Sequence, residues 1–296
     1  MVIGISNSKE AAEIITGLLA HPISHSFSPI IHNSAAEFLG INLRYYPFDV
    51  APNKLFDAIT GMKALGIKGF NVSIPHKKQA TAVVDHLEEE AEITGAVNTI
   101  VNNYGVLTGY NTDVIGFSLA AEPYNEIFFG KTAMIIGAGG SASAVVYSLI
   151  SKFNVQKIYI VNRTLETAHD LVKHYRAVYP EMEFCTIEFN DKTLPDALAS
   201  SSILVNCTPI GMHPNTQNAP ELPYESLNPA AFVFDLVYNP IITLFLKKAE
   251  AVGCKTLNGL DMLLYQAAGA FELWTGEKMP VEELRKTLPQ LLDLKK

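Results

Sequence analysis

In the first 113 residues of this 296-residue chain, polar residues gather where packing gives no reason for them. His25-Ser26-Phe27-Ser28-Pro29 sets two hydroxyls two apart, just ahead of a stretch with helical periodicity. Pro29 suits a first helical position, which makes Ser28 a natural N-cap. The same hydroxyls, with the helix terminus behind them, could instead hold a small carboxylate. In Asn71-Val72-Ser73-Ile74-Pro75-His76-Lys77, the alternation turns Asn71, Ser73 and Lys77 to one side while the chain stays extended. Pro75 then stops the strand and leaves Lys77 at its tip, although a solvent-facing edge would show the same pattern. Asn98 in GAVNT and Asp113 in GYNTD add an amide and a carboxylate at the ends of a hairpin. Asp113 could equally cap a helix that starts at Val114. Taken together, two Ser, Asn71, Ser73, Lys77, Asn98 and Asp113 suit a polyhydroxylated carboxylic acid far better than an apolar ligand.

A second constellation lies further on. Residues 133–136, Ala-Met-Ile-Ile, run directly into Gly137-Ala138-Gly139-Gly140-Ser141-Ala142 and then a helical pattern. This is G-x-G-x-x-A between a strand and a helix, the context in which the motif carries weight. Gly137 makes the tight turn, Gly139 lets the backbone approach a pyrophosphate, and Ala142 lets the helix pack on the strand. Helix N-terminal amides then face the anion. A glycine-rich turn that merely packs is the bland alternative. About twenty residues later, where an NAD site usually offers a carboxylate to the ribose, the chain reads Asn162-Arg163-Thr164. Arg163 can pair with a 2′-phosphate that a carboxylate would repel, so the cofactor expected is NADP rather than NAD. Asn162 as a helix cap and Arg163 as a solvated side chain would fit the same residues.

These groups need elements to hold them. Apolar runs at 14–20, 43–50 and 67–72 read as strands, and 29–39 and 53–65 as helices between them. Residues 97–102 and 106–110 flank an Asn-Tyr-Gly turn and read as a hairpin. A second part begins near Asp113 with a helix over 114–121, which Pro123 ends or kinks. Strands follow at 133–136, 157–161, 183–188, 203–206 and 232–236, with helices at 143–152 and 165–178. Residues 213–229 hold four prolines and read as a surface loop. The helices at 260–274 and 281–292 belong to no strand–helix alternation, and 1–13 reads as a short helical or frayed leader. Alternation of this kind implies an α/β fold with parallel strands.

Composition narrows the classes further. The length suggests two domains; 48% apolar and 18% charged residues describe a compact globular enzyme. A net charge of −8 argues against nucleic-acid and anionic-membrane surfaces, which ask for clustered Lys and Arg. No apolar run is long enough to span a bilayer, and the N-terminus lacks a signal-peptide pattern, so a cytoplasmic protein is expected. Cys185, Cys207 and Cys254 are odd in number and contain no C-x-x-C, so neither disulfides nor a metal site is expected.

In this order, HSFSP, NVSIPHK, GAVNT, GYNTD, GAGGSA, NRT, NCTPIGM and NGLDMLLYQAAGAFELWTG closely resemble the shikimate dehydrogenase family. The resemblance implies two α/β domains around a cleft: a discontinuous substrate-binding domain, 1–112 with 260–296, and a Rossmann-like NADP domain, 113–259. It implies reversible reduction of 3-dehydroshikimate to shikimate, on the route to aromatic amino acids, by an enzyme that is a monomer or homodimer. By position, Ser26 and Ser28 would hold the substrate carboxylate, and Asn71, Ser73, Asn98, Tyr238 and Gln266 would contact hydroxyls or ring. Lys77 and Asp113 would form the catalytic pair, with Thr208, Leu236 and Gly259 lying against the cofactor. Three departures stand out: Ser73 where many members have Thr, Phe27 where Leu is common, and Thr167 where many NADP-dependent members carry a second basic residue. The last weakens the NADP preference and keeps an NAD-dependent quinate/shikimate dehydrogenase as the alternative. A catalytically silent dinucleotide sensor would lack Lys77 or Asp113, and both are present.

Overall fold

The computed structural model describes residues 12–23 and 26–293. The expected leader lies outside them except for its last two residues, and so does His25. The first part of the chain runs β1 (Ile14–Ala20), α1 (Ser28–Leu39), β2 (Leu43–Asp49), α2 (Leu55–Ala64), β3 (Gly69–Val72), β4 (His86–Leu87), α3 (Glu89–Thr94), β5 (Thr99–Asn103) and β6 (Val106–Tyr110). These strands form one mixed sheet in the order β2-β1-β3-β5-β6-β4. Its β1, β2 and β3 are parallel, and the β5–β6 hairpin joins antiparallel to β3.

The second part runs α4 (Thr112–Ala121), α5 (Asn125–Phe128), β7 (Thr132–Ile136), α6 (Gly140–Ser151), β8 (Lys157–Val161), α7 (Leu165–Val178), β9 (Glu183–Ile187), α8 (Leu194–Ser200), β10 (Ile203–Asn206), β11 (Phe232–Asp235), α9 (Leu244–Val252) and β12 (Lys255–Leu257). Its sheet is wholly parallel, in the order β12-β11-β10-β7-β8-β9. The order reverses between β7 and β10, the switch point at which ligands of such sheets bind. Both faces are covered, which is why the strand sequences read as near-continuous apolar runs. Ala133, Ile135, Ile158 and Ile160 pack with α4, α6 and α7, while Met134, Ile136 and Val161 pack with α8 and α9.

The last helices, α10 (Leu260–Thr275) and α11 (Val281–Asp293), return to the first sheet. Leu264, Phe271, Trp274, Leu284 and Leu288 join Ile31 and Ala35 of α1 over Leu18 and Tyr45. Trp274 is locked there, its Nε1–H donating to Ile100 O at 3.1 Å. Helix α4 packs between the two sheets, because Gly116 lets it approach α10: a Cβ at 116 would lie 2.6 Å from Met262 O.

Several elements escape the sequence reading: β4, α3, α5, α8, α9 and β12. The strand expected over 67–72 begins only at Gly69, and it ends at Val72. The chain then turns, with His76 N–H donating to Ser73 O at 2.8 Å. Lys77 therefore reaches the site by a turn and not along an extended strand.

Trp274 leaves no room at the neighbouring strand. A Cβ at Gly69 would lie 2.2 Å from Trp274 Nε1 and 2.4 Å from Ile100 O. Gly69→Ala should therefore destabilise the protein by about 3 kcal/mol in urea denaturation; a loss below about 1 kcal/mol would show that Trp274 is not fixed against β3.

Candidate active site

The sheet ends and α4 enclose a cavity of about 450 Å³ between the two halves. Its wall brings together Ser26, Ser28, Asn71, Ser73, Lys77, Asn98, Asp113, Tyr238 and Gln266, residues spread over 240 positions of sequence. Ser141, Thr208, Leu236 and Gly259 line its other side. Gly137, Ala138, Gly139, Gly140 and Ala142 lie at the end of β7, and Asn162, Arg163 and Thr164 at the end of β8, outside this cavity.

At the centre, Lys77 Nζ donates to Asp113 Oδ2 at 2.5 Å, with side chains only 13% and 7% exposed. Asp113 is not the cap of a helix starting at Val114, because α4 begins two residues earlier at Thr112, with Asn111 at the cap. The carboxylate is spent on side chains: its Oδ1 accepts from Asn98 Nδ2 at 2.8 Å. Asn98 is itself held, its Oδ1 accepting from Thr112 N–H at 2.7 Å and from the Thr99 hydroxyl at 3.0 Å. A buried ion pair of this kind needs such bonds to offset the loss of water.

Asn71 is fixed in the same way. Its Oδ1 accepts from Tyr45 Oη at 2.8 Å, and its Nδ2 donates to Thr99 Oγ1 and Asn98 O. Behind Tyr45, His32 stacks at 4.4 Å, fully enclosed, and burial pushes its imidazole down to about 3. It is thus a neutral core group.

Ser28 does not cap α1. The helix starts at Ser28 itself, and Phe27 holds the cap position without a side-chain bond. The capping work passes to Ser26, whose Oγ accepts from Ser28 N–H at 3.2 Å. Phe27 is 6% exposed and packs on the Tyr238 ring at 5.5 Å, so it helps place Tyr238 against the cavity. Burial pushes the Tyr238 hydroxyl up to about 12, which keeps it a neutral donor.

The glycine turn fits a dinucleotide. Gly137 sits at φ +107°, a left-handed value that favours glycine. A Cβ at Gly139 would meet nothing within 4 Å, so the backbone there is open to a phosphate, while Ala138 and Ala142 are buried beneath the turn. Helix α6 starts at Gly140 and points its first amides into that space. At the end of β8, Asn162 does not cap α7; Thr164 holds that position, and Asn162 Nδ2 donates to Thr164 O. Arg163 is exposed beside it, with no carboxylate at Asn162 to oppose a 2′-phosphate.

Comparison with known proteins then decides the family. Family models match over residues 18–100 (shikimate dehydrogenase substrate binding domain), 119–236 (shikimate/quinate 5-dehydrogenase) and 259–288 (shikimate 5′-dehydrogenase C-terminal domain). The NADP(+) shikimate dehydrogenase of Caldanaerobacter subterraneus subsp. tengcongensis is 47% identical over 89% of this chain and 92% of its own. The chain belongs to the shikimate dehydrogenase family. Among solved members, a shikimate dehydrogenase in complex with NADP+ is 40% identical, with TM-score 0.85 over 94% of this chain and 95% of that one. The shikimate 5-dehydrogenase of Listeria monocytogenes, in complex with shikimate and NAD, is 37% identical, with TM-score 0.84 over 94% and 97%.

Two further residues of this chain, neither marked out by its sequence, hold the cofactor side of the cavity together. Asp235, at the end of β11, is fully buried and accepts from Asn206 Nδ2 at 2.9 Å, Val237 N–H at 3.1 Å and Thr243 Oγ1 at 2.6 Å. Asn206 in turn takes Thr208 N–H and Oγ1 at 3.1 and 2.6 Å. One carboxylate thus ties the loop carrying Thr208 to the loop carrying Leu236 and Tyr238. The available signal was a single polar residue ending each apolar strand, ILVN and FVFD. Cys207 lines the same wall; burial first, then Asp235 and Asp113, push its thiol up and keep it from acting as a thiolate. Among the described residues, no group of His, Cys, Asp and Glu could hold a metal, and no helix is long and apolar enough to cross a membrane.

Burial pushes the Asp235 carboxyl up from 3.8 to about 6, against the three hydrogen bonds that pull it down. Between those values the folded chain holds a proton that the unfolded chain has lost. Its contribution to stability is therefore full below 3.8 and lost as pH rises through about 6. Asp235→Asn retains the acceptor toward Asn206 and Val237, and the Thr243 hydroxyl can turn to accept. This variant should be more stable than the parent at pH 8, by up to about 3 kcal/mol, and should lose the slope between pH 4 and 6. Thermal unfolding across pH checks this; a variant less stable at pH 8 would contradict the assignment.

Proposed function

We infer that this chain catalyses the reversible, NADP-dependent reduction of 3-dehydroshikimate to shikimate, a step toward the aromatic amino acids. The observation that carries the reading is the desolvated Lys77–Asp113 pair in a cavity walled on one side by hydroxyls and amides and on the other by the end of a dinucleotide-type sheet.

Each residue has a task in this reading. Ser26 and Ser28, at the start of α1, hold the substrate carboxylate. Asn71, Ser73, Asn98, Tyr238 and Gln266 meet the ring and its hydroxyls. The glycine turn and the α6 amides hold the pyrophosphate, Arg163 takes the 2′-phosphate, and Thr208, Leu236 and Gly259 border the nicotinamide side. When bound, NADP(H) would supply or accept the hydride at C3 of the substrate. In reduction, the Lys77 ammonium hydrogen-bonds the C3 oxygen, steadies the negative charge growing there and provides the proton. In oxidation the hydroxyl proton passes back to the pair. Asp113 orients Lys77 and accepts from a neighbouring substrate hydroxyl, and Asn98 keeps Asp113 from turning away.

The division into a substrate unit, 1–112 with 260–296, and a dinucleotide unit, 113–259, belongs to the same reading; packing of α10 and α11 on the first sheet supports it. The enzyme works in the cytoplasm as a monomer or homodimer.

Two measurements test this together. Steady-state assays of shikimate and quinate with NADP and NAD should give the highest kcat/KM for shikimate with NADP, since a site built on hydroxyl contacts can discriminate by up to roughly 10⁴-fold. Lys77→Ala should lower kcat by at least about 100-fold with a smaller change in KM. Near-normal kcat in that variant, or preference for quinate and NAD, would overturn the reading.

A further inference from the structure

The glycine turn touches more than the space for a phosphate. Lys77 Nζ, besides its bond to Asp113, donates to Ser141 Oγ at 3.3 Å. The stem of Lys77 lies along Gly140, where a Cβ would stand 3.2 Å from both Lys77 Cβ and Cδ. The same turn of α6 grips the segment behind the lysine: Ser143 Oγ donates to Thr94 O at 2.6 Å. That segment continues to Val97, whose N–H donates to Lys77 O at 2.9 Å, and to Asn98, which holds Asp113. From α7, His174 Nε2 donates to Ile93 O at 2.6 Å and strengthens the grip.

We propose that Ser141 is a positioning residue for Lys77: its hydroxyl serves the lysine ammonium, while its backbone serves the phosphate turn. The motif then has two jobs. Its backbone amides and open Gly139 receive an anion, and its side-chain face braces the acid–base group across the cleft. Lys77 is held from two directions, by α4 through Asp113 and by α6 through Ser141, so its ammonium stands at a defined point when substrate arrives. Without the hydroxyl, Lys77 keeps Asp113 but can swing about that single bond.

The inference rests on Lys77 acting at the substrate oxygen, which the Lys77→Ala assay tests independently. Ser141→Ala should lower kcat about tenfold, as expected for losing one hydrogen bond to a charged group. The Kd of the free enzyme for NADP+, read by titration calorimetry, should stay within about twofold, because the backbone amides remain. Ser141→Thr, which restores a hydroxyl, should recover most of the kcat, with thermal unfolding confirming that both variants are folded. The proposal fails if Ser141→Ala leaves kcat unchanged. It fails equally if the Kd for NADP+ rises by the same factor as kcat falls, since the hydroxyl would then be a phosphate ligand, or if Ser141→Thr gives no recovery.

Discussion

Taking an ammonium and a carboxylate out of water costs several kcal/mol for each ion unless geometry and further hydrogen bonds offset it. The Lys77–Asp113 pair imposes that constraint here, and much of the surrounding structure answers it. Asp113 sits in the first turn of α4, where helix amides favour a negative charge, and Asn98 fills its second oxygen. Thr99, Thr112 and Asn71 then immobilise Asn98 and one another. Removing either ion would leave the other stranded in a low-dielectric wall, so the pair and its supports act as a unit.

The fold makes the pair possible by bringing three distant stretches to one place. Lys77 arrives on the turn after β3, Asp113 on α4, and the hydroxyl that also meets Lys77 at the start of α6. Close packing of α4 on α10 at Gly116 sets the depth of Asp113, and α10 also carries Gln266 into the cavity. The parallel sheet contributes its switch point, and Asp235 locks the two loops beyond it. Asp235 spends stability for position, since burial opposes its charge more than its bonds favour it.

Segments with a clear apolar pattern were legible from sequence, with β1, β8, α7 and β10 matching their expected bounds residue for residue. Most elements that escaped are short or sit at edges: Lys255–Leu257 has three residues at a sheet edge, and Glu89–Thr94 is an acidic turn and a half whose burial depends on α6; the nine-residue α9 is the exception. The polar residues of the first 113 positions were readable as types without a packing reason, and they line the cavity; Tyr238 and Gln266 came only through the family resemblance, and the dinucleotide residues other than Ser141, Thr208, Leu236 and Gly259 lie outside it. Local geometry was not readable. The caps expected at Ser28, Asp113 and Asn162 fall on neighbouring residues: the Asp113 carboxylate is taken up by Lys77 and Asn98, and Asn162 turns its amide to Thr164 O instead. Asp235 and Asn206 looked like strand ends, and only the pairing of β10 with β11 sets them in contact.

The net charge of −8 likewise says nothing about small anions, which the proposed function assigns to local devices: a lysine, an exposed arginine, two serines and helix amides. The central claim, that Lys77 and Asp113 work as one unit, is tested most directly by a double-mutant cycle in kcat with Lys77→Ala, Asp113→Asn and the double variant. If the two act as a unit, the double variant is no slower than Lys77→Ala alone, within about threefold. Losses that multiply would mean two independent contributions, and would contradict the account.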